Sequence, residues 1–263
     1  MWYHKLMKSG IEHEDIKEIQ NRLRDLAERS YSQNTYTFSS FLSLSEMDAY
    51  YSIERELHYA SPAVSGGYEN AERCVIRFGD PESLGYEQNF PIVCVHISPL
   101  MEKFADKLSH RDFLGALMNL GIERDVLGDI KAGEKEAYLF CLDSIAEFIC
   151  DNLYKVKHTS VKCDIITEVS DFPEDEPVET AVQVSSARVD GIISKVCKLS
   201  RGDSLDLFRE GKVFVNGRLC ENNSKNVLKG DVINARGYGK FKIISEPALT
   251  RKGKLNITVA VYK

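Results

Sequence analysis

Apolar residues recur at helical spacing early in the chain and at strand spacing later. Between residue 1 and about residue 60, Ile16, Ile19, Leu23 and Leu26 return every three or four positions among charged residues, which predicts an amphipathic helix. A second helix is predicted over Leu44–Tyr59 with Ser45 as its N-cap, and Ser65-Gly66-Gly67 predicts a turn. From about Arg73 the pattern changes to strand-like. Cys74–Phe78 and Pro91–Ser98 predict strands, the second rich in β-branched residues. Ser109-His110-Arg111-Asp112 opens a helix over Phe113–Leu120, closed by Gly121. Glu136–Leu142 predicts a third strand, Ser144–Tyr154 an amphipathic helix and Val161–Glu168 a fourth strand. The order β-β-α-β-α-β is close to the split β-α-β sandwich of many RNA-recognition domains.

Asp171–Thr180 carries five acidic residues and two prolines with little to bury, which predicts a linker. Beyond it the pattern resumes. Ser186 is placed to cap a helix over Arg188–Lys198 with the apolar stripe Val189, Ile192, Ile193 and Val196. Ser200 is placed to cap a second helix, with Asp203 as its reciprocal partner and Leu205, Leu207 and Phe208 facing inward before Gly211 ends it. Lys212–Leu219 reads as two strands joined by Asn216-Gly217, a hairpin signal because both turn positions require positive φ. Lys229-Gly230-Asp231 turns into a strand over Val232–Ala235, and Gly237 and Gly239 flank Tyr238 in a further turn. Strands over Phe241–Ser245 and Leu255–Tyr262 close the module, joined by a basic loop, Arg251–Lys254, that reads as solvated surface.

Charge sharpens this division. The 263 residues carry a net charge of −6, which on its own argues against a nucleic-acid partner. Residues 183–263, however, hold 16 of the 34 basic residues and only 7 of the 40 acidic ones. A module with nine surplus positive charges is therefore attached to a body with fifteen surplus negative ones, an electrostatic footprint for a polyanion. The seven cysteines form no C-x-x-C pair, and most lie in apolar runs such as Val93-Cys94-Val95. They read as small core residues of a reduced compartment. The six histidines show no metal-ligand spacing. No apolar run approaches membrane-spanning length, and Met1–Gly10 lacks a signal core, so a cytoplasmic location is expected. His110-Arg111-Asp112 spells a kinase catalytic triplet, but Leu117 stands where that motif needs asparagine. Gly237-Tyr238-Gly239 is too short for a dinucleotide loop.

The segments Arg188-Val189-Asp190, Leu199-Ser200-Arg201, Gly211–Gly217 and Lys229–Ile233 resemble, in order and spacing, the RNA-binding module named after ribosomal protein S4. Val189 departs conservatively from that module's usual leucine. With Gly66–Arg73 and Ser109–Leu117 added, nearly the whole chain is similar to the YlmH type of bacterial proteins. That resemblance implies an α+β chain: N-terminal helices over residues 1–62, an RRM-like domain over 63–170, an acidic linker over 171–182 and an S4-type domain over 183–263. It also implies no catalysis, and association with large ribosomal subunits carrying stalled peptidyl-tRNA, hence rescue of interrupted translation. A link to cell division is a further implication.

The RNA-binding residues expected are Arg188, Arg201, Lys195, Lys198, Ser200, Lys212 and Arg218, with Asp190 and Asn216 supporting them. Arg188 and Arg201 start separate helices, whose N-termini offer N–H groups to phosphate, while guanidinium forks grip it bidentately. Asp190 is expected to orient an arginine by ion pairing, and Asn216 to serve the turn first. Arg111 is a further contact candidate. The partners expected are rRNA and tRNA, with a protein held by the acidic regions; no cofactor, metal or membrane is expected. The rival readings are a division-linked adaptor and an RNA-modifying enzyme, though the signatures of the synthases, methyltransferases and tRNA synthetases that share S4 modules are missing.

Overall fold

The structure, a computed structural model, describes residues 13–69, 71–166 and 177–262. The readings on Met1–Gly10, on Asn70 and on residues 167–176 lie outside these. Two compact units result, one built on Lys17–Phe172 and one on Pro173–Lys263.

In the first unit α1 (His13–Gln33) buries Leu23 and Ala27, with Ile19 and Leu26 half-buried beside them. It packs on α2 (Leu44–Ile53) and β3 (Val75–Phe78). With β1 (Thr37–Phe38) and β2 (Ala63–Ser65), β3 forms a sheet in the order β1-β3-β2. The N-cap of α2 is Ser43 rather than Ser45. The acidic partner of a capping box must stand three residues on, and Glu46 accepts from the Ser43 N–H at 2.6 Å. The predicted continuation to Tyr59 is a 3₁₀ helix, Glu54–Ala60, whose buried Leu57 and Ala60 stand three apart, the period of that helix. A short α3 (Pro81–Leu84) follows.

The RRM-like sheet is built from β4 (Ile92–Pro99), β5 (Leu127–Ala132), β6 (Ala137–Leu142), β7 (Lys155–Val156) and β8 (Thr159–Ile166) in the order β5-β6-β4-β8-β7, antiparallel throughout. Helices α4 (His110–Asn119) and α5 (Asp143–Asn152) cover one face through Phe113, Leu117, Ala146 and Ile149. The split β-α-β topology is therefore present, but with a different first pair of strands. Cys74–Phe78 supplies β3, which joins the N-terminal sheet because Ile76 and Phe78 pack with the α1 and α2 core. The missing strand is β5. Its alternation is broken by a register shift between Leu127 and Ile130, so no period of two shows in the sequence.

Part of the sheet face opposite the helices, around Phe140 and Cys94, is covered by the chain itself. Gly67, at φ +92°, lies so close to Phe140 that an added Cβ would stand 2.6 Å from its ring. Tyr68 packs its ring on Phe140 at 4.8 Å, and Phe140 and Cys94 are buried beneath. Gly67→Ala should therefore cost about 2 kcal/mol, through overpacking and left-handed strain together. Chemical denaturation of the full chain measures it.

Helix α4 begins with a reciprocal cap between Ser109 and Asp112, and Lys157 Nζ lies 2.9 Å from the same carboxylate. The Ser109 and Lys157 hydrogen bonds hold Asp112 down to about 2, from an ordinary 3.8. A depressed carboxylate stabilises the fold fully above its unfolded value and loses that contribution as pH falls through the folded one. Acid titration followed by circular dichroism should show this part of the transition between about pH 4 and pH 2, and Asp112→Asn should remove it.

In the second unit β9 (Val178–Val184) leads into α6 (Val189–Val196) and α7 (Arg201–Arg209). The strands β10 (Val213–Val215), β11 (Arg218–Leu219), β12 (Val232–Ala235), β13 (Gly239–Ile243), β14 (Ala248–Leu249) and β15 (Leu255–Tyr262) follow. The sheet runs β11-β10-β12-β13-β15-β14, with β9 also paired to β15. Both helices pack on it through Val189, Ile192, Ile193, Leu207 and Phe208. Residues 178–182, read as linker, are strand. Val182 and Val184 point into the core, and the surrounding acidic residues masked that alternation. Asn216 (φ +53°) and Gly217 (φ +75°) form the expected positive-φ turn.

Candidate nucleic-acid interface

A cleft of about 600 Å³ opens in the second unit where α6 and α7 begin. Four cationic side chains line it, Arg188, Lys195, Arg201 and Lys254, against one carboxylate, Asp190. The carboxylate holds one of those cations in place. Arg188 donates from Nε to Asp190 Oδ1 at 3.1 Å and from a terminal nitrogen to Oδ2 at 2.6 Å, a two-toothed pair. Asp190 is itself fixed by the Gly191 N–H at 2.7 Å, and its backbone carbonyl accepts from the buried Ser204 hydroxyl at 2.9 Å, which ties α6 to α7. Burial opposes ionisation of Asp190. The Arg188 and Gly191 hydrogen bonds, and the charges of Arg188 and Arg201, outweigh it and leave its affinity for protons below the usual carboxylate range. The same pair strengthens the Arg188 guanidinium's hold on its proton.

Two details of the sequence reading change. Arg188 is the N-cap of α6, not a residue of its first turn, and Ser186 lies upstream of the cap. The backbone donors of that turn are also in use. Val189 N–H reaches the Lys225 carbonyl at 2.9 Å and Asp190 N–H the Asn223 carbonyl at 3.3 Å. At α7, Ser200 Oγ accepts from the Asp203 N–H at 3.1 Å, and the Asp203 carboxylate returns to the Ser200 N–H. Negative charge thus already occupies that helix end, so an anion in the cleft is left to the side chains.

Arg188, Lys195 and Arg201 are brought together, whereas the remaining candidates are dispersed. Lys198 sits exposed in the α6–α7 turn at φ +54°. Ser200 is occupied as a cap. Lys212 pairs with Glu210 at 2.6 Å, and Arg218 lies on the edge strand β11. The Asn216 amide donates to Asp231 Oδ1, and its carbonyl oxygen accepts from the Val232 N–H, both at 2.8 Å, which fixes the hairpin against β12. Lys254, expected to be solvated loop surface, lines the cleft as well. It enters the cleft because β9 pairs with β15 with Leu255 opposite Val184, a register no local pattern reveals. Leu205, expected in the core, is only half-buried and lines the cleft floor, while Ser204 takes the interior position.

Residues 86–169 match the family model described as "Putative RNA-binding domain in YlmH". Among curated proteins the chain is similar to the ribosome-associated protein quality control protein P2 of Bacillus subtilis. The two are 31% identical over 204 residues, 74% of this chain and 76% of the relative. The chain belongs to the YlmH family. A solved structure titled cell division protein ylmH from Streptococcus pneumoniae shares the fold at a TM-score of 0.50 and 14% identity, over 63% of this chain and 98% of that one. The family membership fits the α+β chain seen here, with its N-terminal helices, central five-stranded sheet and C-terminal sheet. No helix among the described residues is long and apolar enough to cross a membrane.

Proposed function

We propose that this YlmH-family chain is a cytoplasmic RNA-binding factor that associates with the large ribosomal subunit and its peptidyl-tRNA, and that it serves the rescue of stalled translation without catalysing a reaction. The observation that carries the reading is the cleft, where Arg188, Lys195, Arg201 and Lys254 converge around a carboxylate that aims one of them. Such a set holds consecutive phosphates of a folded RNA and selects by shape rather than by base edges. The Bacillus subtilis relative is named as a ribosome-associated quality control protein, which supports the ribosome as the place of action.

The cleft offers a positional role. Arg188 is held rigidly by Asp190, so little side-chain entropy is lost when phosphate docks on its outer edge. Arg201 and Lys254 approach from α7 and from the β14–β15 turn, so one backbone is gripped from different sides. The test is gradient sedimentation of lysate, with the protein expected in the large-subunit fractions at low salt. Absence from those fractions would sink the ribosomal reading, whatever the protein's affinity for free RNA.

A further inference from the structure

The RRM-like sheet does not offer its rings to RNA freely. Tyr68 lies on Phe140, and His96 stacks on Tyr138 at 4.6 Å and 11° while pairing with Glu136 at 2.8 Å. The opposite, helical side carries a groove of about 560 Å³ between α4 and the segment that ends α5 and enters β7. Arg111, Gly115 and Asn119 form one wall. They stand four residues apart on α4 and so share one stripe of the helix. Tyr154, Lys155 and Lys157 form the other wall, and Tyr154 is 68% exposed.

Three features of this groove point to a ligand. Its charge is unbalanced: Lys157 is taken by Asp112, the one carboxylate in the lining, which leaves Arg111 and Lys155 in surplus. Tyr154 turns an aromatic face to solvent beside those cations, held by a hydroxyl bond to the Asp151 carbonyl. Gly115 sits inside a helix, where glycine is a poor residue, although a Cβ there would meet no atom within 4 Å. Among the described residues no packing requires that glycine. Its effect is to keep the groove open down to the helix backbone.

We propose that this groove binds a nucleotide of single-stranded or looped RNA, its base stacked on Tyr154 and its flanking phosphates held by Arg111 and Lys155. Aromatic stacking beside cations suits any unpaired base, and duplex RNA offers none to splay out. The site rests on the reading of the chain as an RNA binder, and it adds a second contact, on the first unit, of a different kind from the cleft.

The test uses the full chain and a labelled mixed-sequence single-stranded RNA oligomer at low salt, read by fluorescence anisotropy. Tyr154→Ala and the pair Arg111→Glu/Lys155→Glu should each weaken binding roughly tenfold, while Tyr154→Phe keeps it within about twofold. Gly115→Gln should weaken the oligomer comparably yet raise Tm by about 2 °C, a combination that a purely structural glycine cannot give. Photocrosslinking should place RNA on the Tyr154 peptide. These losses should persist when the cleft is disabled by Arg188→Ala/Arg201→Ala/Lys254→Ala. If the cleft variant binds duplex RNA normally, the proposed function loses its site while the groove stands. Unchanged oligomer affinity in the groove variants overturns the groove, as does loss of ribosome association with oligomer affinity intact, which would make its occupant a protein.

Discussion

Arg188→Ala/Arg201→Ala/Lys254→Ala should lower affinity for structured RNA by about 10² to 10³ at moderate salt. Each charge-assisted contact to phosphate contributes on the order of 1.5 kcal/mol, close to tenfold, and neighbouring contacts rarely add fully. The salt dependence should change with it. Each lost phosphate contact removes about 0.9 from the slope of log affinity against log salt, so the triple variant should lose between about 2 and 3. Filter binding across a salt series measures both, and circular dichroism checks that the fold persists. Arg188→Lys separates geometry from charge: it keeps the cation but loses the fork that meets both Asp190 oxygens, so it should recover only part of the affinity. Lys212→Ala should change affinity by less than about twofold, because Lys212 is paired with Glu210 away from the cleft. An unchanged salt slope in the triple variant would falsify the cleft as the phosphate site.

What was legible in the sequence was what is locally determined. The Asn216-Gly217 turn, the Ser200–Asp203 cap, the Ser109–Asp112 cap and the Val232–Ala235 strand depend on residues within a few positions of one another, and all four stand where the pattern put them. Apart from the α2 cap, misplaced by two residues, the errors lie where partners distant in sequence decide. β5 pairs with β6 across a bulge, so its apolar residues fall out of alternation. β9 is held by β15, some seventy residues on, and its acidic exposed positions looked like linker. The same pairing delivers Lys254 to the cleft while its neighbours Arg251 and Lys252 do not line it. The helix-terminus argument for Arg188 failed for a related reason: its backbone donors are claimed by carbonyls more than thirty residues away. Candidate cations could thus be named from sequence, but which of them converge is a property of the register.

Asp129→Ala should destabilise the first unit by about 3 to 5 kcal/mol. Asp129 accepts from the Tyr68 hydroxyl at 2.7 Å, from the Glu72 N–H at 2.7 Å and from the Arg73 N–H at 3.2 Å, so it fastens the Gly66–Arg73 segment to β5. Two guanidinium groups lie in the same seam. Arg73 donates to the Leu127, Phe41 and Arg124 carbonyls, and Arg124 to those of Leu127 and Gly128. Burial, and then the charge of Arg73, pull Arg124 down to about 10, with Asp129 opposing. Removing that carboxylate leaves three donors without their acceptor and two cations without its charge. Asp129→Asn should recover less than half of the loss, since its amide turns hydrogens toward groups that are already donors. Urea unfolding followed by circular dichroism measures both variants. Tyr68→Phe combined with Asp129→Ala should cost less than the two losses taken separately, because both changes break one hydrogen bond. The Gly66–Arg73 and β5 segments should lose amide protection together in Asp129→Ala, while duplex-RNA affinity of the second unit's cleft stays constant below the transition. Arg73 and Arg124 are basic residues whose charge is spent inside the fold, and a cationic side chain in this chain signals RNA only where the structure leaves it facing an open surface.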